Sequence, residues 1–514
     1  MKRILLTISI AIILVSIIFF INGKFIDYHI INKIKSIIVS VIEWIFLFII
    51  ISIILIVIRE NSNPIKSLAW IQILIFVPVF GFILYLVFGI NYRKKKKYIK
   101  KSVKDYATID SIIFNKNLSS NEYYETLKNK SKNVHKLINL LYNNSKAILC
   151  LYNNITTYFS GKDKIEALFE DISNSESSIH LEYFSIKDDR TGYRLQEILL
   201  KKLAEGVEVR IIYDYVGSWR TKRKYWKTII EAGGECIPFS ANYLPFLSSK
   251  LNYRDHRKIA IIDGKYAYIG GVNIGDQYVG LSKQFSYWRD THYRISGQAC
   301  AVIQQMFLLD WLFVSKKDEF KKKYFPKQDI ESVCPVQIIC SGPDSNWKNI
   351  HQSYFEMICS AKKNLYIQTP YMFLDESILM ALKIAGLSGI DVKIILPEKA
   401  DHTFVNFGTK SYYYELLEAN IKLYEYTKGF IHSKVIIVDD ELCSVGSANL
   451  DIRSFSQNFE MNALVYDENE VKILKGSFYE DLQNCNQVCI ESVRNKNVFH
   501  KFIESFARLF SPIF

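Results

Sequence analysis

Three long hydrophobic stretches dominate the pattern of apolar and polar positions at the start of the chain. They run over residues 4–21, 37–58 and 68–90. Each approaches or exceeds the roughly 20 apolar residues that cross the hydrocarbon core of a bilayer as a helix. We therefore predict a membrane anchor over residues 1–92 with three transmembrane helices.

Two of these stretches carry further signals. Lys2 and Arg3 precede the first stretch, which could therefore be a signal peptide, but it lacks a cleavage site of small residues and two more stretches follow. In the third stretch, Pro78 and Gly81 predict a bend in the helix.

Beyond residue 144 the pattern changes to short apolar strands that alternate with helices, and this plan occurs twice. In the first half we predict helices over residues 164–172 and 193–205, strands over 178–186 and 207–213, and a closing helix over 305–325. In the second half we predict strands over residues 365–369 and 392–396 and a helix over 377–387. Alternating strands and helices indicate an α/β layer structure. We expect two duplicated α/β domains, over residues 145–326 and 327–514.

A linker over residues 93–144 separates anchor and domains, and it begins with the basic run 93–97. Basic residues flank transmembrane helices on the cytoplasmic side, so we expect a multi-pass protein of the cell membrane whose domains face the cytoplasm. With three crossings, this orientation leaves Lys2 and Arg3 outside, against the same rule. The conflict makes the first stretch the doubtful one.

Composition narrows the range of partners. The net charge of +13 suits an anionic partner, either nucleic acid or a surface of anionic lipid. The nine cysteines are scattered without a C-x-x-C spacing, which indicates free thiols in a reducing compartment rather than disulfides or a zinc site.

One motif occurs twice with identical offsets. The first copy consists of His256, Lys258, Asp263, Gly270, Gly271 and Asn273. The second copy consists of His432, Lys434, Asp439, Gly446, Ser447 and Asn449. Residues two apart on a strand project from the same face, so each copy aims a candidate nucleophile and a cation at one target. The glycines let the backbone approach a ligand, and the asparagine offers an amide donor. We count both aspartates with the catalytic motif, and because each lies beside a turn we expect them to fix strand and loop geometry rather than touch substrate.

An acid follows each asparagine: Asp290 in the first half and Glu460 in the second. A catalytic histidine needs a partner on its second ring nitrogen, and these acids are the candidates for that orienting role. Structural ion pairs with Arg289 or Arg453 are the alternative. His292 is expected to pack or hydrogen-bond rather than react.

The paired motif resembles the phospholipase D superfamily and, within it, the family of bacterial cardiolipin synthases. The longer stretches that carry the second resemblance include residues 81–89, Tyr287–Thr291, Gln368–Tyr371 and Ala448–Ser454. The similarity runs from about residue 37 to Pro512. It implies two phospholipase D-like α/β/α sandwich domains with pseudo-twofold symmetry, preceded by transmembrane helices, and one active site between them.

The resemblance also implies an activity: transfer of a phosphatidyl group from one phosphatidylglycerol to another, which gives cardiolipin and glycerol through a phosphohistidine. It favours His256 as the nucleophile and His432 as the acid–base, although the sequence itself leaves this open. Lys258, Lys434, Asn273 and Asn449 would hold the phosphoryl oxygens. Exchange of one phosphodiester for another needs no nucleotide, cofactor or metal, and we expect anionic lipids rather than nucleic acid as partners.

Three alternatives remain for comparison. A phospholipase D or related phosphatidyltransferase would share these residues and differ in its acceptor. A nuclease would explain the basic charge but not the anchor, and a non-catalytic scaffold would be expected to lack part of the motif.

Finally, apolar residues at helical spacing over 498–510 could either pack on the body or lie in the membrane interface.

Overall fold

The computed structural model describes residues 28–59, 64–88, 131–239, 253–282, 284–317, 320–345 and 347–511. The chain divides into two compact units, Met1–Ile90 and Asn91–Phe514. The predicted span over residues 4–21 and the basic run over 93–97 lie outside the described residues.

In the described part of the first unit, residues 28–59 and 64–88, the helices are α1 (Tyr28–Arg59), α2 (Pro64–Phe76) and α3 (Pro78–Phe88). Helix α1 has 32 residues, a length of about 48 Å, whereas the hydrocarbon core measures about 30 Å. Most of its apolar side chains are exposed, including Trp44 and Phe48, while Ile50, Ile53 and Val57 form a small buried cluster with Leu74 of α2. A helix that is apolar all round suits a lipid environment, so α1 is consistent with the second predicted span.

The third predicted stretch folds back on itself. The rings of Trp70 on α2 and Tyr85 on α3 lie 5.4 Å apart, whereas fifteen residues of straight helix would separate them by about 22 Å. A Cβ at Gly81 would lie 2.7 Å from the carbonyl oxygen of Ile73, so only glycine permits this approach. The bend at Pro78 therefore separates two helices of a hairpin, and residues 68–90 do not form one continuous helix.

The first half of the second unit contains helix α4 and a run of strands and helices. Its strands are β1 (Leu149–Ser160), β2 (Ser178–Tyr183), β3 (Glu208–Asp214), β4 (Glu235–Phe239), β5 (Lys258–Ile262), β6 (Tyr266–Gly270) and β7 (Trp288–Gly297). Its helices are α4 (Lys132–Ser145), α5 (Gly161–Ser173), α6 (Arg190–Ala204), α7 (Arg223–Glu231) and α8 (Gln298–Ser315), with short 3-10 turns at Asp276–Val279 and Lys322–Tyr324.

The second half repeats the plan. Its strands are β8 (Val333–Ser341), β9 (Asn364–Gln368), β10 (Met372–Phe373), β11 (Asp391–Pro397), β12 (Lys422–Tyr426), β13 (Phe430–Ile431), β14 (Val435–Val438), β15 (Leu442–Gly446), β16 (Leu450–Asp451), β17 (Glu460–Val465) and β18 (Cys485–Gln487). Its helices are α9 (Asn349–Ser360), α10 (Glu376–Leu387), α11 (Thr403–Lys410), α12 (Tyr413–Glu418), α13 (Ile452–Ser456), α14 (Glu468–Leu482), α15 (Ile490–Arg494) and α16 (Val498–Arg508).

One mixed sheet of 16 strands runs through both halves. In the first half the strand order is β1-β7-β6-β5-β2-β3-β4, and in the second it is β8-β17-β15-β14-β9-β11-β12 with β18 at the edge. The two orders correspond strand by strand, and β1 pairs with β8 to join them. The α/β class and the duplication predicted from the pattern are confirmed.

A shared core ties the halves together. Ile259 and Ile295 of the first half belong to one buried cluster with Val445 and Met461 of the second. Helix α4, predicted as part of the linker, instead buries its apolar face in the core of the second half, where Leu137 and Leu141 join Ile350 and Leu365. The two halves therefore share one core and form a single folded unit rather than two separately packed domains.

Two predicted elements have different bounds. Helix α8 covers 298–315 rather than 305–325, and it stops where Lys316 adopts the left-handed region at φ 65°. Because α8 is buried on most of its surface, it shows no clear apolar periodicity in the sequence. The strand predicted over 178–186 ends at Tyr183, although Ile186 still forms a bridge with Ile274.

Candidate active site

His256 lies in an extended segment just before β5, and an acid from the other half of the chain holds its ring. Its Nδ1 is 2.9 Å from Oε1 and 3.1 Å from Oε2 of Glu460. The backbone is held in the same way, because the N–H of His256 donates to the carbonyl of Phe459 and the N–H of Phe459 donates to the carbonyl of Arg254. The histidine segment therefore runs alongside the residue that precedes β17.

His432 has the reciprocal arrangement. Its Nδ1 lies 2.8 Å from Oδ2 of Asp290, which belongs to the first half. Strand β13 pairs in parallel with the start of β7, and the N–H of His432 donates to the carbonyl of Arg289 at 2.7 Å. Each histidine is thus oriented by the acid of the opposite half, an exchange that the sequence did not indicate.

The crossed pairing of each histidine with the acid of the opposite half determines which ring nitrogen can react. Both carboxylates are fully buried, while the side chains of His256 and His432 keep 14% and 9% of their exposure. With the carboxylate on Nδ1, the proton stays on that nitrogen and the lone pair is left on Nε2. The pairing therefore prepares both imidazoles to act through Nε2.

Two buried lysines surround this site with positive charge. Lys258 and Lys434 are almost fully buried, and each donates from Nζ to the carbonyl oxygen of its own motif histidine, the second at 2.5 Å. Burial lowers the pKa of Lys258 to about 7, despite the nearby Glu460, and it lowers the pKa of Lys434 to about 8. The charge of Lys434 also acts on Lys258 to lower its pKa, so the two lysines influence each other within the site.

The histidines are held in the neutral form. Burial lowers the pKa of His256, although Glu460 opposes the shift. Burial and the charge of Lys434 lower the pKa of His432 to about 3, even though Asp290 acts in the opposite direction. A neutral imidazole is the form that can attack phosphorus or accept a proton.

Further groups hold the acids in place. Glu460 accepts hydrogen bonds from Ser447 Oγ at 2.5 Å and from Asn458 Nδ2 at 3.2 Å. Burial alone would raise the pKa of Glu460, but His256 and Lys258 keep it below its usual value. Asp290 accepts from the N–H of Thr291 at 2.8 Å and from Trp288 at 3.4 Å. Except for Ser447, which lies in the motif, sequence reasoning missed these supports.

The glycine position of the motif explains a difference between its copies. A Cβ at Gly271 would lie 2.2 Å from Oδ1 of Asp290, so this position must be glycine. The second copy has Ser447 there, and its hydroxyl donates to Glu460, the acid of the same half at the start of β17. The two pockets therefore fit an aspartate and a glutamate by different means.

The motif asparagines lie in buried positions beside the histidine pockets. Nδ2 of Asn273 donates to Tyr278, whose ring packs 4.9 Å from that of Trp288. Nδ2 of Asn449 donates to Asp451 at 2.9 Å, and the charge of Asp451 acts on Lys434. An amide carries two N–H groups, so each asparagine has a second donor to offer.

The motif aspartates serve the turns. Asp263 accepts from the N–H groups of Ser177 and Ser178 at 2.7 and 2.9 Å, and Asp439 accepts from Lys363 and Asn364 in the same way. Both have positive φ, near 50°. Because Asp263 follows the far end of β5, about 16 Å of strand separates it from Lys258. The structure places this pair away from the histidines, as expected for residues that fix loops.

The sequence left open that Asp290 and Glu460 form structural ion pairs with Arg289 or Arg453, and the structure shows the partners of both arginines. Arg289 pairs with the carboxylate of Asp481 at 2.7 Å and donates to the backbone carbonyl of Asp290 rather than to its carboxylate. Arg453 donates from Nε to Asn458. His292 is buried on β7, where its Nδ1 accepts from the N–H of Val272. Within the described ranges, no group of three His, Cys, Asp or Glu side chains could hold a metal ion, and all nine cysteines are free.

Aromatic rings line the histidine pockets. The ring of Phe184 lies 5.1 Å from that of His256, and the ring of Trp288 lies 5.1 Å from that of His432. Tyr371 donates from its hydroxyl to Asp401 at 2.6 Å, and the charge of Asp401 acts on Lys434. The site is therefore a cationic centre with apolar walls.

Comparison with known proteins agrees with this fold and site. The model of the family described as "Cardiolipin synthase, PLD-like domain" matches residues 168–305 and 354–482, and the model described as "Phospholipase_D-nuclease N-terminal" matches residues 44–89. The crystal structure of phosphatidylserine synthase from Haemophilus influenzae superposes with a TM-score of 0.58 over 74% of this chain and 100% of that one, at 16% identity, which shows a common fold. The duplicated fold and motif define a protein of the phospholipase D-like class.

Sequence relatives give the family. Cardiolipin synthase of Halalkalibacterium halodurans is 40% identical over 461 residues, which cover 89% of this chain and 91% of the relative. Cardiolipin synthase of Listeria welshimeri is 42% identical over 456 residues, 88% of this chain and 95% of the relative. This chain belongs to the cardiolipin synthase family, whose members are membrane-associated enzymes that act on phospholipids.

Proposed function

We propose that this protein transfers a phosphatidyl group from one phosphatidylglycerol to a second and so forms cardiolipin and glycerol. The observation that carries the proposal is the crossed pairing of His256 with Glu460 and of His432 with Asp290. It leaves two imidazoles with reactive Nε2 atoms beside two cations. A double displacement at one phosphorus atom needs this set of groups.

In the first step, Nε2 of His256 attacks the phosphorus of phosphatidylglycerol. A nitrogen–phosphorus bond forms and the bond between phosphorus and the headgroup glycerol oxygen breaks. His432, which takes up a proton when the anionic phosphodiester binds beside it, gives that proton to the departing oxygen. Lys258 and Lys434, with the second N–H groups of Asn273 and Asn449, hold the phosphoryl oxygens. Loss of one such donor typically raises the barrier by about 3–4 kcal/mol.

In the second step, a terminal hydroxyl of another phosphatidylglycerol attacks the phosphohistidine. His432, now neutral, takes the proton of this hydroxyl, a new phosphorus–oxygen bond forms, and the bond to His256 breaks. The family resemblance supports His256 as the nucleophile. Aromatic walls and deep burial limit access of water, which is the competing acceptor.

The reaction can be tested with purified full-length protein in phosphatidylglycerol vesicles. We expect cardiolipin and free glycerol in equal amounts, without CTP and in the presence of EDTA. A requirement for CDP-diacylglycerol would contradict the mechanism. Phosphatidic acid as the main product would instead indicate a phospholipase D.

Trapping of the covalent intermediate tests which of the two histidines is the nucleophile. With phosphatidylglycerol labelled at phosphorus, His432→Ala quenched in alkaline SDS, in which phosphohistidine is more stable than in acid, should retain covalent label, and His256→Ala should not. Both variants should lose turnover, whereas His500→Ala, a change on the exposed surface, should keep it. Label on His256→Ala alone would reverse the two roles.

The topology follows from the helical hairpin. We propose that α1 crosses the membrane and that α2 and α3 enter and leave on the cytoplasmic side, where residues 93–97 begin the linker. If residues 4–21 also cross, Lys2 and Arg3 lie on the cytoplasmic side too. This multi-pass arrangement puts Lys2 and Arg3 on the side that the positive-inside rule favours, at the expense of Lys24, Lys33 and Lys35, which then lie outside. We infer that the catalytic unit faces the cytoplasm.

A further inference from the structure

The end of the chain carries an apolar face that the catalytic unit leaves uncovered. The large apolar side chains of α16 and the residue after it keep high exposure: Val498 83%, Phe499 68%, Phe502 65%, Phe506 46% and Leu509 74%. We name these five residues the docking face. Monomeric soluble proteins rarely expose a contiguous apolar patch of this kind without a function.

The helix beneath the docking face is fixed, so this exposure is not that of a loose terminus. On its opposite side Ala507 and Glu504 are buried, and Glu504 accepts from Lys496 at 2.6 Å. Arg508 bonds Glu415 at 2.5 Å, and Ser511 lies 3.1 Å from the hydroxyl of Tyr412. The fold thus holds the helix with its apolar side outward.

The docking face continues toward the active site. The rings of Phe502, Phe506 and Phe510 follow one another at 6.3 and 5.3 Å, and Phe510 lies 5.6 Å from Phe404 on α11. Helix α11 starts two residues after Asp401, whose charge acts on the catalytic Lys434. A row of aromatic rings therefore connects the surface helix with α11.

We propose that the docking face inserts into the interface of a bilayer that contains anionic lipid. Exposed cations, Lys501 and Arg494, lie on and beside the same helix, and an aromatic face with a basic edge suits that partner. Since α1 anchors the same chain in a membrane, a bilayer is always within reach. This proposal rests on the proposed function in one respect, namely that the substrate is a lipid of the same bilayer. Docking lets the acyl chains of that lipid stay in the membrane while its headgroup enters the site.

A photo-crosslinking amino acid tests the contact directly. Full-length protein with p-benzoylphenylalanine in place of Phe502 is irradiated in vesicles of phosphatidylglycerol and phosphatidylcholine. The matched control carries it at Leu387, an apolar residue that is 64% exposed at the end of α10. We expect lipid adducts at 502 several-fold above those at 387. Adducts to a second copy or to another segment of the chain, or equal lipid adducts at both positions, would overturn the proposal.

A second test separates docking from chemistry. The double variant Phe499→Asp, Phe502→Asp should lose about tenfold or more of its turnover on vesicles, because burial of each phenylalanine is worth at least a factor of about ten. Its turnover of short-chain, monomeric phosphatidylglycerol should not change, and Leu387→Asp should keep both activities. Equal loss on both substrates would refute the docking role, and absence of cardiolipin even with the unaltered protein would refute the proposed function instead. The crosslinking readout requires no turnover.

Discussion

Glu460 holds the ring of His256 across 204 positions of sequence, with Nδ1 and Oε1 2.9 Å apart. Asp290 holds His432 in the same way across 142 positions. Neither half of the catalytic unit therefore contains an oriented histidine by itself. Orientation of the rings and association of the halves are the same structural event.

Glu460→Gln should lower turnover by a factor on the order of 10³–10⁴, because the amide no longer fixes the tautomer or stabilises the imidazolium. The change is nearly isosteric, so the protein should fold normally. Glu480→Gln, an identical change at an exposed position on α14, is the control and should be fully active. Activity of Glu460→Gln within threefold of the parent would show that this pair is only structural.

Gly271→Ala should lower turnover about a hundredfold. The added methyl group meets Oδ1 of Asp290 at 2.2 Å and must push the acid away from His432, and a shift of about 1 Å in a catalytic group has costs of this size. Gly476→Ala on α14 has open space around it and provides the control, with unchanged turnover. Steady-state assays on vesicles give both values, and equal activities would mean that Asp290 tolerates displacement.

The pH profile should reveal the buried lysines. The pKa of Lys258 is about 7 and that of Lys434 about 8, so the empty site loses its cations as the pH rises through this range. We expect kcat/KM, which reports the free enzyme, to fall between about pH 7 and 8. Because a bound phosphodiester favours the charged amines, the fall in kcat should occur at higher pH. A kcat/KM that stays level to pH 9 would show that the lysines stay charged without substrate.

The same shifts affect stability. Below pH 7 both the folded and the unfolded chain bind a proton at Lys258, and the folded chain must bury the charge. Between the folded pKa and the ordinary value of about 10.4, the unfolded chain binds more protons, so this lysine makes folding more favourable as pH rises.

Accessibility of introduced cysteines should distinguish a hairpin from a third crossing. Residues 1–149 contain no cysteine, and the nine native cysteines from Cys150 onward are first changed to serine so that each introduced thiol reacts alone. Ser62→Cys and Tyr92→Cys, before and after the α2–α3 hairpin, should both react with an impermeant maleimide in inverted vesicles and neither in intact cells. Asn32→Cys at the other end of α1 should show the opposite pattern. Opposite behaviour at positions 62 and 92 would restore a crossing helix.

Much of the site could be predicted because the motif is local in sequence. The spacing of His256 and Lys258 is set within three residues, and its recurrence at His432 and Lys434 identified both without any tertiary information. The crossed acids could not be assigned, since a hydrogen bond between β17 and a segment before β5 leaves no trace in local periodicity. Alternation of strands and helices likewise predicted the duplicated α/β plan but not the pairing of β1 with β8.

The misplaced elements have physical explanations too. The predicted start of helix α8 lies seven residues after the observed start, because burial on most sides removes the amphipathic pattern that marks a helix. The α2–α3 hairpin has the hydropathy of a span, and only the contact of Trp70 with Tyr85 shows that the chain turns back. Hydropathy measures which solvent a segment prefers, not its path.

The crossed pairing also bears on the origin of the duplication. A chain with a single half could build such a site only by pairing with an identical copy, and both pockets would then necessarily carry the same acid and the same neighbouring residue. Fusion into one polypeptide lifts that constraint. Here one pocket combines Asp290 with Gly271 and the other combines Glu460 with Ser447, which makes the two imidazoles chemically unequal and gives a two-step reaction a distinct group for each task.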